Sequence, residues 1–296
     1  MTSNIAQPAN GPGSSGESGH PWDKAAEGWN RHSAVINTWL KDVTQDMLAA
    51  ARIEPGARVL DVAAGAGGQT LDIARRVGSG GYVLATDLSP RILELAADNA
   101  RAAGLGHVHT QLADAQALGL AGAGFDAAVS RLGLMFCEAP HAALDEIAAA
   151  LKPGGRFAAV VFSQPQANPC AAILMSTACR HAGLPPPAPF APGMLFSLGK
   201  PGLLAQLLEA AGFTDVQVQP KAAPFRLPSC AHYLDFVRSS ASPVLEILAR
   251  LPESAQAAAW DDMAAQLDTF TGASGWEGPN ELLLCSARQG RTERGA

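Results

Sequence analysis

Seven short strand-like runs, most of them separated by helix-length amphipathic segments, constrain this chain more than any other feature. Residues 57–63 (ARVLDVA), 82–87 (YVLATD), 107–113, 125–130 (FDAAVS) and 156–162 (RFAAVVF) form the first five, and 213–219 (FTDVQVQ) and 281–287 (ELLLCSA) the last two. Between them, helical spacing covers 68–77, the segment from Ser89 to Gly104, 140–151, 168–182 and 200–211. Ser89 is placed as an N-cap with Pro90 at the first helical position. Strands that are apolar almost throughout need cover on both faces. The pattern therefore predicts an α/β protein with a doubly wound, seven-stranded, mostly parallel sheet.

The flanks read differently. Residues 1–20 are rich in Gly, Ser, Pro and Asn and are expected to be a disordered tail. A helical lid is expected over 21–40, carrying Trp22, Trp29 and Trp39, with a second helix over 41–52. The core would run from 41 to 220. Residues 221–280 would be a helical cap insertion over the carboxyl edge of the sheet, with helices near 229–240, 243–251 and 253–270. The last core strand falls in 281–288 and a tail in 289–296.

Charge and composition narrow the classes of partner. The net charge is −6 with no dense Lys/Arg run, which disfavours a phosphate-tracking surface and nucleic acid. A small-molecule partner fits better, and a homodimer stays open. No uncharged apolar stretch reaches the roughly 18–20 residues of a membrane span, and the N-terminus lacks the basic start and apolar core of a signal peptide. A cytoplasmic location is the expectation. The five cysteines (Cys137, Cys170, Cys179, Cys230, Cys285) are scattered without C-x-x-C spacing and read as buried thiols, with no metal site expected.

The most informative local stretch is VLDVAAGAGG at 59–68. A P-loop would need Lys after its last glycine, and none is there. The order Ala63, Gly65, Gly67, Gly68 also misses G-x-G-x-x-G. A pyrophosphate would be repelled by Asp61 just before the turn, whereas a ligand bearing an ammonium and a sulfonium would tolerate it. Asp87 ends the next strand, placed to accept from ribose hydroxyls, and Asp114 follows the third, placed at an adenine edge. Taken singly, Asp61 could equally be a buried hydrogen-bonded carboxylate and Gly67 a plain helix-start glycine. The ordered set argues for an adenosyl ligand.

With these motifs the chain resembles the class I S-adenosylmethionine-dependent methyltransferases, and among them the ubiquinone/menaquinone-biosynthesis C-methyltransferase type. VLDVAAGAGG resembles that group's first motif, with Ala63 where the superfamily usually has glycine. ATDLSPRIL, LADAQAL, FDAAVSRLGLMF and LKPGGRFAAVVF resemble the motifs that follow, and LLAQLLEAAGFTDVQV a late helix and strand. The likeness is good over about residues 40–165. It implies a Rossmann-like fold, S-adenosyl-L-methionine as cofactor and S-adenosyl-L-homocysteine as product. By position it implies Asp61, Ala63, Gly65 and Gly67 at the methionine half, Asp87 and Leu88 at ribose and adenine, Asp114 and Ala115 at the adenine, and Ser130 and Arg131 below the sulfonium.

The acceptor is less legible. Met135, Phe136, Phe190, Met194, Phe196, the tryptophans and the Pro-rich loop after 184 point to an apolar, aromatic-tolerant pocket and to C- or O-methylation of a hydrophobic or aromatic molecule. Candidate catalytic groups are His32, as a substrate contact on the lid, His232 at the start of a cap helix, and Arg131. Arg131 would either anchor an anionic or phenolic oxygen or pair with Asp126 or Glu138. Competing readings are a cofactor-binding protein with other chemistry, a metalloid methyltransferase needing a trio such as Cys137, Cys170 and Cys179, and, weakest, a dinucleotide oxidoreductase.

Overall fold

The computed structural model describes residues 21–186, 188–240 and 242–290. The expected tail over 1–20 and residues 291–296 lie outside them. Strands β1 (Arg58–Val62), β2 (Tyr82–Asp87), β3 (Val108–Leu112), β4 (Phe125–Arg131), β5 (Leu151–Phe162), β6 (Phe213–Ala222) and β10 (Glu281–Gln289) form one seven-stranded sheet in the order β3-β2-β1-β4-β5-β10-β6. The first five in that order pair in parallel, and β10 runs antiparallel to both neighbours. The chain order reverses at β1/β4, so the ends of these strands open a crevice there.

The helices cover both faces as the strands require. Helix α3 (Gly68–Val77) starts at Gly67, whose φ of 86° is the left-handed conformation that glycine adopts without penalty. Helix α4 (Pro90–Ala102) is capped by Ser89, whose Oγ accepts from the Ile92 N–H at 3.0 Å. Helices α5 (Pro140–Ala150), α6 (Pro169–His181) and α7 (Leu203–Ala210) complete the core layers. Leu151, expected to end the preceding helix, and residues 152–155, expected as the turn that stops it, instead begin β5. Leu151 pairs with Phe125 and Arg156 with Ala127, so the Lys152-Pro153-Gly154-Gly155 stretch is absorbed as a bulge.

At the N-terminal end the break falls at His32 instead of near residue 41, giving α1 (Pro21–Arg31) and a long α2 (Ser33–Ala50). Ile36, Leu40, Val43, Met47 and Leu48 are buried along α2, an apolar stripe at three- and four-residue spacing that runs well ahead of residue 41. Helix α1 lies against α4 and α8 (Cys230–Ser240). Ser89 Oγ donates to Asp23, Asn99 Nδ2 donates to Asn30 Oδ1 at 3.2 Å, and a Cβ on Gly28 would strike the Ser239 carbonyl.

The region after β6 holds α8, α9 (Ser242–Leu248) and α10 (Glu253–Leu267). It also holds a small sheet the pattern did not reveal, β7 (Phe225–Leu227), β9 (Gly275–Gly278) and β8 (Thr271–Gly272) in the order β7-β9-β8. These strands are two to four residues long, too short for a period to be read. Trp276 anchors them: it is buried, stacks on Tyr233 at 4.6 Å and donates from Nε1 to the Leu267 carbonyl at 2.8 Å. Among the described residues no helix is long and apolar enough to cross a membrane.

Candidate active site

The crevice beyond β1, β2, β3 and β4 is a cavity of about 770 Å³. Its floor is the turn after β1, where Ala63 and Gly65 both have positive φ, 55° and 58°. A Cβ on Gly65 would meet nothing within 4 Å, so protein packing does not demand the bare backbone there. The Gly65 N–H donates to Asp87 Oδ2 at 3.0 Å, and Asp87 Oδ1 accepts from the Ser89 N–H at 3.1 Å. Two backbone donors thus hold the Asp87 carboxylate on the cavity wall. Next to it stand Leu88, Ala115 and Asp114. Asp114 Oδ1 accepts from the Gln116 N–H at 2.9 Å, and Gln116 Oε1 accepts from the Ala139 N–H at 2.7 Å.

The opposite wall carries positive charge. Arg131, at the end of β4, lines the cavity and donates from Nη1 to Thr44 Oγ1 at 2.9 Å. A Cβ on Gly68 would come within 3.0 Å of Arg131 Nη2 and 2.8 Å of Asn37 Oδ1, so the guanidinium lies close over the first residue of α3 and a side chain there would push these two side-chain ends aside. Burial lowers the Arg131 guanidinium to about 10, opposed by nearby Asp61. A guanidinium beside a helix N-terminus favours an anionic group.

A second chamber, about 320 Å³, abuts the first. Trp22, Trp29, Leu132 and Phe136 line both. The rest of its wall includes Trp39, Met135, Phe162, Met175, Met194, Phe196, Phe225, Tyr233 and Phe236, and no Asp, Glu, Lys, Arg or His among the described residues. Trp39 stacks on Phe225 at 3.9 Å, and Trp22 meets Phe136 edge-on at 4.9 Å. Burial pushes the Tyr233 phenol far up, so it is neutral.

Residues 59–155 match the methyltransferase domain family. Over that stretch, about a third of the chain, the sequence is similar to methyltransferase domains. An uncharacterized protein of Mycobacterium tuberculosis is 43% identical over 109 residues, 37% of this chain and 38% of that protein. The ubiquinone/menaquinone biosynthesis C-methyltransferase of Teredinibacter turnerae is 38% identical over 115 residues, 38% of this chain and 46% of that one. The chain therefore spans less than half the length of either curated relative. Haemonchus contortus phosphoethanolamine N-methyltransferase 2, solved with S-adenosyl-L-methionine, shares the fold with a TM-score of 0.57 at 15% identity, over 93% of this chain and 61% of that one.

Around the larger cavity the structure gathers Ala63, Gly65, Asp87, Leu88, Asp114, Ala115 and Arg131. Three residues expected there are not on its wall. Asp61 is fully buried behind the turn, where Thr70 Oγ1 donates to it at 2.6 Å and Gln69 Nε2 at 3.0 Å. Burial raises its carboxyl to about 6, against the pull of Thr70, Gln69 and Arg131. It ties the turn to α3. Gly67 packs on α4, where a Cβ would stand 3.2 Å from that of Ala96. Ser130 is fully buried, its Oγ without a partner among the described residues.

The candidate catalytic residues need more correction. His32 lies at the α1/α2 break, edge-on to Phe236 at 5.6 Å, with Nε2 3.8 Å from Asp235 Oδ2, and lines neither cavity. His232 is exposed and its Nδ1 meets Ser229 Oγ at 2.8 Å, a helix-start contact. Arg131 reaches the first cavity and not the chamber, and Asp126 instead pairs with Lys152 at 2.7 Å. All five cysteines are buried and free, and no group of three His, Cys, Asp or Glu that could hold a metal forms among the described residues.

Sequence reasoning passed over Asn37, Asn99, Gln116 and Gly133, all on the cavity wall. Gly133 is the sharpest omission. A Cβ there would lie 2.3 Å from the Ala63 Cβ, so the alanine of the first motif is accommodated by a glycine seventy residues on. Its φ of −104° is ordinary, and nothing local in LGLMF marks it.

Proposed function

We propose that this chain transfers a methyl group from S-adenosylmethionine, held in the larger cavity, to a small hydrophobic or aromatic acceptor in the chamber. The observation that carries this reading is that the polar cavity and the apolar chamber share a wall of four residues, Trp22, Trp29, Leu132 and Phe136. The residues present fit the cofactor. The held carboxylate of Asp87 suits ribose hydroxyls, Asp114 and Gln116 suit the adenine edge, Gly65 leaves room for close approach, and Arg131 over the start of α3 suits the carboxylate of the amino-acid tail.

Bound there, S-adenosylmethionine supplies a methyl group on a sulfonium leaving group, open to in-line displacement. The chain's own contribution is alignment and dryness. Holding two reactants in line is worth roughly 7–11 kcal/mol of barrier, and the aromatic chamber keeps water from competing. No histidine or carboxylate lines the chamber among the described residues, so the chain offers no side-chain base there. The acceptor atom must be nucleophilic without one, as an electron-rich ring carbon is.

Calorimetric titration with S-adenosylhomocysteine, followed by turnover with S-adenosylmethionine and neutral phenols, tests the proposal. Saturable binding plus release of S-adenosylhomocysteine with a methylated phenol supports it. Binding without release would favour the same fold doing other chemistry, and an absence of binding would sink the reading.

A further inference from the structure

Helix α1 presents two stripes at helical spacing. Asp23, Glu27 and Asn30 form a polar one, and each bonds a residue of α4 or its cap. Asp23 accepts from Ser89 Oγ, Glu27 Oε1 from Arg91 Nε at 3.1 Å, and Asn30 Oδ1 from Asn99 Nδ2 at 3.2 Å. Trp22, Ala26 and Trp29 form the apolar one, with Ala26 fully buried and both indoles lining the two cavities. Towards α8, Gly28 sits so close that a Cβ would stand 1.8 Å from the Ser239 carbonyl oxygen.

Two of the three polar partners also hold a part of the larger cavity. While its hydroxyl bonds Asp23, Ser89 donates from its backbone N–H to Asp87 Oδ1 at 3.1 Å. Asn99 Nδ2 donates both to Asn30 and, at 2.9 Å, to the Ala66 carbonyl in the turn after β1. An amide NH2 carries two hydrogens, so it serves both acceptors at once. Arg91 differs, because its second bond goes to Glu94 within α4. The Glu27–Arg91 pair is exposed and adds little. Water can replace each bond of this seam, and an eleven-residue helix is too short to hold itself in water. Helix α1 therefore depends on its seat, and two bonds of that seat fall on residues that also fix Asp87 and the turn.

We propose that Ser89 and Asn99 are positioning residues that tie the seating of α1 to occupancy of the larger cavity. A ligand that fixes the Asp87 carboxylate and the turn at 63–68 also fixes Ser89 and Asn99, and with them the donors that α1 needs. Trp22 and Trp29 then complete the wall between the cavity and the chamber. This rests on the reading of the larger cavity as the S-adenosylmethionine site.

Hydrogen exchange of the amides at 25–31 in the full chain, with and without saturating S-adenosylhomocysteine, tests this. In the parent the ligand should slow exchange about fivefold or more. Asp23→Ala combined with Asn30→Ala removes both ties from the α1 side, at residues that line neither cavity. That double variant should reduce the slowing to less than about twofold while calorimetry still records ligand binding. Asp23→Asn keeps an acceptor for the Ser89 hydroxyl and should retain the slowing. Glu27→Ala breaks a bond of the same seam that reaches no part of the cavity. It should speed exchange alike in both states and keep the ligand's factor within about twofold of the parent's. Gly28→Ala bars the seat at α8 and should give fast exchange with or without ligand. Bound ligand without slowing, a double variant with the parent's factor, loss of that factor in Glu27→Ala, or slowing that survives Gly28→Ala would each overturn the proposal. Calorimetry on the parent decides the functional reading separately: failure to bind S-adenosylhomocysteine would sink that reading and this proposal with it.

Discussion

The larger cavity and the chamber touch, yet they are built by different means. The larger one is made at strand ends, where Asp87, Asp114 and Arg131 stand within reach of backbone N–H groups and a helix start. The chamber is made between helices and the small sheet, where Trp39 stacks on Phe225, Phe225 meets Tyr233 edge-on, and no ionised side chain lines the wall among the described residues. Strand ends offer orientation, because a sheet fixes where each residue leaves it. Helix faces offer volume and dryness. A reaction that needs one ligand held at several polar points and a second ligand kept from water uses both.

The largest effect that would break this contrast concerns charge beneath the first cavity. The Asp61 carboxyl is raised to about 6, so the folded protein holds its proton more tightly than the unfolded chain does. Stability from that proton is present at low pH and is lost as pH rises from about 4 through 6. Denaturant unfolding should show Asp61→Asn gaining on the parent by up to about 3 kcal/mol between pH 4 and pH 7. Tyr233→Phe, in the chamber, should hold a constant offset over the same range. A flat difference for Asp61→Asn would remove the ionic character assigned to that side.

Next in size, Asp87→Ala should weaken S-adenosylhomocysteine about fivefold to a hundredfold, in line with the ~1–3 kcal/mol of charge-assisted hydrogen bonds, while leaving an apolar probe of the chamber such as naphthalene bound as before without cofactor. Loss of both ligands together would mean that the two spaces are one. Gly133→Ala should cost about 1–2 kcal/mol in thermal unfolding through overlap with Ala63, and adding Ala63→Gly should recover most of it. Failure of the second change to rescue the first would separate the two positions. The smallest effect is expected of His232→Ala, an exposed residue, which should alter turnover less than twofold and stability within about 0.5 kcal/mol.

How far the sequence could be read follows the same division. The strand-end cavity was legible because a parallel sheet places residues by rule: once VLDVAAGAGG, YVLATD and the strand before Asp114 were aligned, the positions of Gly65, Asp87 and Asp114 on one rim followed. The orientation of a side chain at such an end was not. Asp61 turned to Thr70 and Gln69 on α3, and that choice depends on residues eight and nine places later. The apolar character of the chamber was readable from its tryptophans and methionines. That His32 and His232 lie off both cavity walls was not legible, because their direction depends on tertiary packing, against Phe236 for one and towards solvent for the other. The pairing of Ala63 with Gly133 has no signature in either neighbourhood, since only the folded turn brings them together.

Helix α1 contributes Trp22 and Trp29 to both spaces. Two occupants that press on one helix share a thermodynamic account whatever their chemistry. Any factor by which the nucleoside changes the grip on its neighbour must be returned in full by the neighbour to the nucleoside. Such coupling would run through the roughly two helical turns between Trp22 and Trp29, so a change in that segment would shift both affinities together.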